Sequence, residues 1–397
     1  MKEVKVVIGA NYGDEGKGLM TNYFARQADK KHKKCLNILF NGGAQRGHTV
    51  ENGDFRHVFH AFGAASYQDA DTFYNHHFMV NPFIFLSEKK ELEKLHVNHG
   101  RTWVDWNCEI TTPYDILFNQ ALEQSRGKSR HGSCGCGIFE TFNRVNKGFH
   151  FTCKELFMSF GELYSKIKFI RDKYFAEKRM KETDIIFTME WRENFFSEIT
   201  LANFVKDLMD FKKSVYFSSL NEISDYYDTL IFEGGQGLAL DMDNKKDFPH
   251  LTPSHTGSDW VLEQLRELDG VFDVEVCYVS RSYFTRHGAG ALKNEVSKSD
   301  ELGIKNMDKT NVKNDWQGSI RYAPFDEKDY IQRVQPDADK WNCDLLHKKI
   351  EHFKISQSFT HLNEISLIEE VDTSLSPYAY AYLSFSPNFD DVVYIHK

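Results

Sequence analysis

Val4-Lys5-Val6-Val7-Ile8-Gly9-Ala10-Asn11-Tyr12-Gly13-Asp14-Glu15-Gly16-Lys17-Gly18 runs from an apolar, β-branched stretch into a glycine-rich turn holding one Asp, one Glu and one Lys. Leu19 to Lys30 then follow a helical pattern. Strand, glycine turn and helix in succession let backbone N–H groups and a helix N-terminus hold phosphate. Gly13, Gly16 and Gly18 give backbone freedom and close approach, Lys17 can reach phosphate oxygens, and Asp14 is placed for a metal ion or for proton transfer. The glycine spacing is shorter than in the P-loop and no Ser or Thr follows the Lys, so the turn is P-loop-like only. Without phosphate chemistry the stretch reads as a tight β–α turn with solvated charges, Asp14 capping the helix.

The same arrangement recurs. Cys35 to Phe40 is a second apolar strand and delivers Asn41-Gly42-Gly43-Ala44-Gln45-Arg46-Gly47-His48-Thr49. His48 lies on a glycine turn rather than an apolar face, where it could donate to an oxygen gaining charge. Asp228 to Phe232 runs into Glu233-Gly234-Gly235-Gln236-Gly237, and Val274 to Ser280 leads to Thr285-Arg286-His287-Gly288-Ala289-Gly290. Successive strands ending in functional loops predict an α/β fold: a central, mostly parallel sheet with its site at the strand C-termini. Phe151 to Tyr227 is helical in pattern and predicts a helical insertion. The expected organisation is one domain over 1–397, with a mainly helical subdomain at about 100–227.

Composition narrows the class. The 397 residues can bury a sizeable core, and 41% hydrophobic with 27% charged residues is ordinary for a globular protein. A net charge of −9 argues against a general nucleic-acid surface. No stretch is apolar and long enough to span a bilayer, and Met1-Lys2-Glu3 leaves no room for a signal peptide before the first strand. Seven scattered Cys, with only Cys134 and Cys136 close together, predict reduced thiols and a cytoplasmic protein.

The motif at Gly13–Gly18 and its companion from Gly42 to Thr49 resemble the two N-terminal signatures of adenylosuccinate synthetases. Phe232 to Gly237 with Leu240-Asp241, and Thr285 to Gly290, resemble two more. That family condenses a 6-oxopurine nucleotide with aspartate, driven by a nucleoside triphosphate. The resemblance implies catalytic roles for Asp14, Lys17, His48 and Gln236. His48 would be the general acid, Gln236 would bond the purine 6-oxygen, and Asp14 and the Gly47 carbonyl would hold Mg²⁺.

Nucleotide and phosphate contacts are implied for Gly13, Glu15, Gly16, Gly18, Gln45 (an Asn in the family), Ser133, Cys134 (a Thr in the family), Thr256, Ser258 and Arg286. Arg144 would cross a homodimer interface to the monophosphate. Glu295 follows the Gly-Ala-Gly turn as in the family. Arg321 is the Arg left in a reduced aspartate loop and can supply a guanidinium fork. Asn363 replaces the Asp that reads guanine, which favours ATP as donor, and Ser386 stands in the base-binding loop. The expected partners are a purine nucleoside monophosphate (IMP or dIMP), a nucleoside triphosphate and L-aspartate. Phage relatives that use dGMP with adenine nucleotides are the near alternative, though they lack the carboxylate kept here as Asp14. A nucleotide-binding regulatory protein is the more distant one.

Overall fold

The computed structural model describes residues 1–183, 185–304, 316, 318–362 and 378–396. In chain order the strands are β1 (Lys2–Gly9), β2 (Cys35–Leu39), β3 (His48–Asn52), β4 (Phe55–Phe59), β5 (Asp71–Tyr74), β6 (Thr102–Val104) and β7 (Tyr216–Phe217). They continue as β8 (Thr229–Gly237), β9 (Phe272–Arg281), β10 (Tyr283–Arg286), β11 (Arg321–Pro324), β12 (Ile350–Thr360), β13 (Tyr380–Ser384) and β14 (Val392–His396). Ten of these form one sheet in the order β14-β13-β12-β9-β1-β8-β2-β5-β6-β7. Every neighbouring pair in it is parallel except β13 with β14.

β1 lies at the centre because both its faces are apolar. Val4, Val6 and Ile8 point to one side, where they join Leu36, Ile38, Leu230, Phe232, Val274 and Val276. The helices Asp259–Glu267 and Glu327–Asp339 cover that side with Val261, Leu262, Leu265, Tyr330 and Val334. Val7 points to the other side with Leu39, Ile231 and Val279, under Leu19, Met20 and Phe24 of the helix Lys17–Lys30. Strands buried on both faces read as continuous apolar runs, the pattern seen in the sequence.

Helices Pro113–Arg126, Ile138–Asn146, Phe160–Phe169, Met189–Phe196 and Glu198–Ser214 make up the insertion. The flanking strands β6 and β7 belong to the main sheet, so the helical part is narrower than 100–227. Many of the chain's Phe residues pack here: Phe118, Phe175, Phe195, Phe204 and Phe211 are fully buried. Thr112 starts the first of these helices with a capping box closed by Asp115. Among the described residues no helix is long and apolar enough to cross a membrane.

The topology gathers the motifs. Parallel strands β1, β2, β8, β9 and β12 all end on one edge; the turns after β1 and β2 leave from it and Glu233–Gly237 forms the end of β8, while Thr285–Gly290 follows β10 of the separate β10–β11 pair. Phe232, wholly buried on β8 against Phe40, anchors the strand that carries the Glu233–Gly237 turn. Phe232→Ala is expected to cost about 3–5 kcal/mol of stability, read as a lowered urea midpoint with an unchanged m-value.

Candidate active site

The first turn closes around its own carboxylate. Glu15, 2% exposed, accepts the N–H of Asn11 at 2.9 Å and of Gly13 at 2.7 Å on Oε1, and the Lys17 ammonium at 3.0 Å on Oε2. Lys17 Nζ also donates to the Gly13 carbonyl at 2.6 Å. The carboxylate therefore holds amides that a P-loop would offer to phosphate. The Glu15 carboxylate shapes the turn and, carrying the same sign of charge, does not meet phosphate; a contact from Glu15 would come from its backbone N–H.

The helix begins at Gly16, at φ +93°, with no side-chain cap, so Asp14 is not its N-cap. The Asp14 carboxyl makes no hydrogen bond among the described residues. Burial raises its pKa above the usual range, opposed by His287 and Arg281.

The second and third turns meet over Glu233. This buried carboxylate lies 2.6 Å from His48 Nδ1 and 2.7 Å from Arg46 Nη2, and accepts the Ala64 N–H at 3.1 Å. Burial alone would raise its pKa; Arg46 and His48 outweigh burial and hold it at about 2. Burial, then the Arg46 charge, pushes His48 down to about 3 against the pull of Glu233. His48 is thus neutral in the free protein. With Glu233 ionised, the short contact assigns the ring proton to Nδ1. His48 Nε2 is buried with no partner.

A cavity of about 440 Å³ opens beside these turns, a volume that suits a nucleotide. Gln45 and Gln236 line it, their amides 3.5 Å apart, and Gln45 Oε1 is buried without a partner. Gly13 abuts the Gln236 backbone, so the β1 and β8 turns are in contact. Ser133 and Cys134 line the opposite wall, with the Ser133 hydroxyl donating to Asn119 Oδ1 at 2.9 Å. The Cys134 thiol is held below its ordinary pKa by a hydrogen bond from Cys136, against burial. Arg286 also faces the cavity. Its guanidinium lies 4.7 Å over the Tyr12 ring and donates to the Ala291 and His250 carbonyls, while its Nε is buried without a partner.

Several expected contacts fall elsewhere. Arg144 is fully buried: Nε pairs with Asp115 at 3.1 Å, and its other nitrogens donate to the carbonyls of Ile110 and Phe149. It braces the helical insertion and cannot be the arm that crosses to a partner. Thr256, also fully buried, gives its N–H and hydroxyl to Asp241, and Ser258 gives its N–H and hydroxyl to Asp337. Thr252, four residues before Thr256, is the threonine that lines the cavity.

Ser386 closes its own turn, donating to Asp391 and accepting from the Asn388 N–H. Arg321 pairs with Glu295 at 2.7 Å and lies beside Arg286 across the β10–β11 pair. Asn363 lies outside the described residues, as do Gln317 and the segment 305–315 of the aspartate loop. Thr360, just before Asn363, donates to the Glu15 carbonyl at 2.5 Å, so β12 ends against the first turn.

The sequence reading gave no role to Arg46, Glu233, Tyr12 or His287. His287 has both ring nitrogens buried without partners and lines the cavity near Asp14. Arg46 and Glu233 stand inside the quoted motifs; opposite charges on two glycine turns that meet were the available signal.

A parallel sheet with glycine-rich segments gathered beside one cavity at its strand C-termini is the architecture of an α/β nucleotide-binding protein. The chain belongs to the adenylosuccinate synthetase family, whose model matches residues 6–313. The adenylosuccinate synthetase of Clostridium botulinum (strain Eklund 17B / Type B) is 28% identical over 308 residues, covering 75% of this chain and 66% of that one. That of Alkaliphilus metalliredigens is 26% identical over 317 residues, covering 76% and 67%. The match thus spans about two thirds of the length of these relatives.

Two solved structures share the fold. The fully ligated adenylosuccinate synthetase from Plasmodium falciparum superposes with a TM-score of 0.67 at 16% identity, covering 100% of this chain and 87% of that one. The succinoaminodeoxyadenylate synthetase of cyanophage S-2L, bound to dGMP and dATP as an energy donor, gives 0.64 at 13% identity, covering 100% and 96%.

Arg144→Leu leaves Asp115 buried and uncompensated, so it is expected to lose about 3–5 kcal/mol of stability, read by urea unfolding. Nucleotide affinity of the folded fraction should be unchanged. The acid limb of stability follows from His48 and Glu233. Below the ordinary histidine pKa the unfolded chain binds a proton that folded His48, at about 3, refuses. Stability therefore falls as pH drops from about 6.5 towards 3, and Glu233 adds to the loss between about 4.5 and 2. Melting curves across this range should show a shallower slope for His48→Gln.

Proposed function

We propose that this protein condenses L-aspartate with a 6-oxopurine nucleoside monophosphate, IMP or dIMP, at C6, through a 6-phosphoryl intermediate and at the expense of a nucleoside triphosphate, ATP being favoured. The observation that carries this reading is the convergence of the glycine-rich segments bearing Asp14, His48 and Gln236 at the ends of the neighbouring strands β1, β2 and β8, with Gln236 itself lining the cavity.

In this reading Asp14 takes the N1 proton of the purine, and burial strengthens it as a base by raising its pKa towards working pH. The 6-oxygen then attacks the γ-phosphorus and the nucleoside diphosphate leaves. Lys17 Nζ and the Gln236 amide donate to the charge that develops. His48 acts as acid only as the imidazolium. Glu233 at 2.6 Å stabilises that form, and incoming phosphate charge offsets Arg46, so its protonation is tied to substrate binding. The aspartate amine next attacks C6 and inorganic phosphate departs. The adjacent guanidiniums of Arg286 and Arg321 are the candidates to meet anionic groups of the two substrates.

Asp14 and the Gly47 carbonyl each offer a hard oxygen donor of the kind Mg²⁺ takes, and the Asp14 carboxyl makes no competing hydrogen bond among the described residues, so these are the residues that would hold the ion. The ion would supply charge neutralisation on the phosphates.

A second reading takes dGMP with ATP or dATP, the ligands of the cyanophage synthetase. Retention of Asp14, whose carboxylate would crowd a 2-amino group, favours the first. A matrix of IMP, dIMP, GMP and dGMP with ATP and GTP, with and without aspartate, separates them by product mass. Adenylosuccinate from IMP or dIMP is expected, with turnover reduced by about 10²-fold or more in Asp14→Ala. Product from dGMP alone selects the second reading. Absence of aspartate-dependent phosphate release with every pair overturns both.

A further inference from the structure

Next to the Asn41–Gly47 loop, and outside the residues that line the cavity, two histidines and a glutamate converge. His76 and His77 follow β5, and Glu263 stands on the helix Asp259–Glu267. His76 Nε2 is 3.4 Å from Glu263 Oε1, and His77 Nε2 is 3.3 and 3.4 Å from the two Glu263 oxygens. All three ligand atoms lie within 4.8 Å of one another.

The two His–Glu spacings also match the edge of a zinc coordination tetrahedron. Zinc holds nitrogen and oxygen at about 2.0–2.1 Å, so neighbouring corners of its tetrahedron are about 3.3–3.4 Å apart. A charge-assisted imidazole–carboxylate hydrogen bond closes to about 2.7–2.9 Å, and His48 and Glu233 in this same chain approach to 2.6 Å.

The ligands are held before any ion arrives. The His77 ring stacks on Trp260 at 3.9 Å and 7°, and Trp260 precedes Glu263 by one helical turn. The segment after β5 is tied to the neighbouring loop, Asn75 N–H to the Leu39 carbonyl at 3.0 Å and Met79 N–H to the Gly42 carbonyl at 2.8 Å. The side chains are 29%, 21% and 41% exposed, so solvent reaches the site.

We propose that His76 Nε2, His77 Nε2 and the Glu263 carboxylate bind one divalent transition ion, with zinc the best fit and water completing its coordination. Two imidazoles select zinc, cobalt or nickel over magnesium and calcium. The ion would cross-link the segment after β5 to the helix, and through the Met79–Gly42 bond would stiffen the loop that carries Gln45 and His48. It is a positioning site, separate in place and in ligand chemistry from any ion carried by nucleotide.

The test uses the full chain, stripped with chelator and free of nucleotide. Calorimetric titration with Zn²⁺ is expected to give one equivalent, and Co²⁺ a visible ligand-field spectrum without the intense sulfur charge-transfer band of a thiolate site. Zn²⁺ should raise Tm. His76→Asn and Glu263→Gln, both at partly exposed positions and checked for native circular dichroism, should each weaken binding by at least about tenfold. His255→Asn, in the neighbouring Asp241–Asp243–His255 group, should leave it unchanged. No stoichiometric binding, unchanged affinity in either folded variant, a thiolate band, or loss of binding in His255→Asn would each overturn the proposal.

Discussion

One buried carboxylate sets the geometry of the first turn and of the sheet edge around it. Glu15 takes the amides of Asn11 and Gly13 and the ammonium of Lys17, and little room is left around it. A Cβ on Gly9 would come within 2.6 Å of one Glu15 oxygen, and one on Gly237 within 2.7 Å of the other. Glycine is needed at the end of β1 because the acid fills the space beside it, and at the end of β8 because the Asn11 backbone would stand closer still to such a Cβ. A Cβ on Gly16 would come within 2.9 Å of Thr360, so β12 closes on the same turn. The loops that face substrate are thus packed on one another through a charged group, not through apolar side chains.

The second constraint is electrostatic. Glu233 is the counter-charge for Arg46 and the orienting acceptor for His48 at once. Arg46 keeps Glu233 ionised, and with burial it keeps His48 neutral. A histidine in that setting holds its proton only when further negative charge arrives. In the proposed reaction such an arrangement would couple acid strength to occupancy. The Tyr12 ring attracts two further guanidiniums, Arg286 at 4.7 Å and Arg333 at 5.5 Å, to the same region.

The misplaced contacts have a common cause. Thr256 and Arg144 were assigned from their order after a motif, yet both are wholly buried and spend their donors on Asp241 and Asp115. A buried guanidinium or hydroxyl must be paired inside the fold, and the sequence does not say which acid will be near. Thr252 lines the cavity instead, and nothing in Phe248 to Ser258 tells from sequence which hydroxyl will face it.

The sequence by itself determined the parallel α/β sheet and the turns that bear Asp14, Lys17, His48 and Gln236. Apolar β-branched runs ending in glycine are local signals, fixed by propensity and steric freedom. Tertiary structure alone decided that Glu15 would be the filling of its turn, that Glu233 would meet Arg46 and His48, that Arg144 would be a strut, and that His76, His77 and Glu263 would converge from separate elements. Each of these rests on a contact between residues distant in the chain or on the burial of a charge. Both depend on how strands are ordered in the sheet, which no local stretch of sequence encodes.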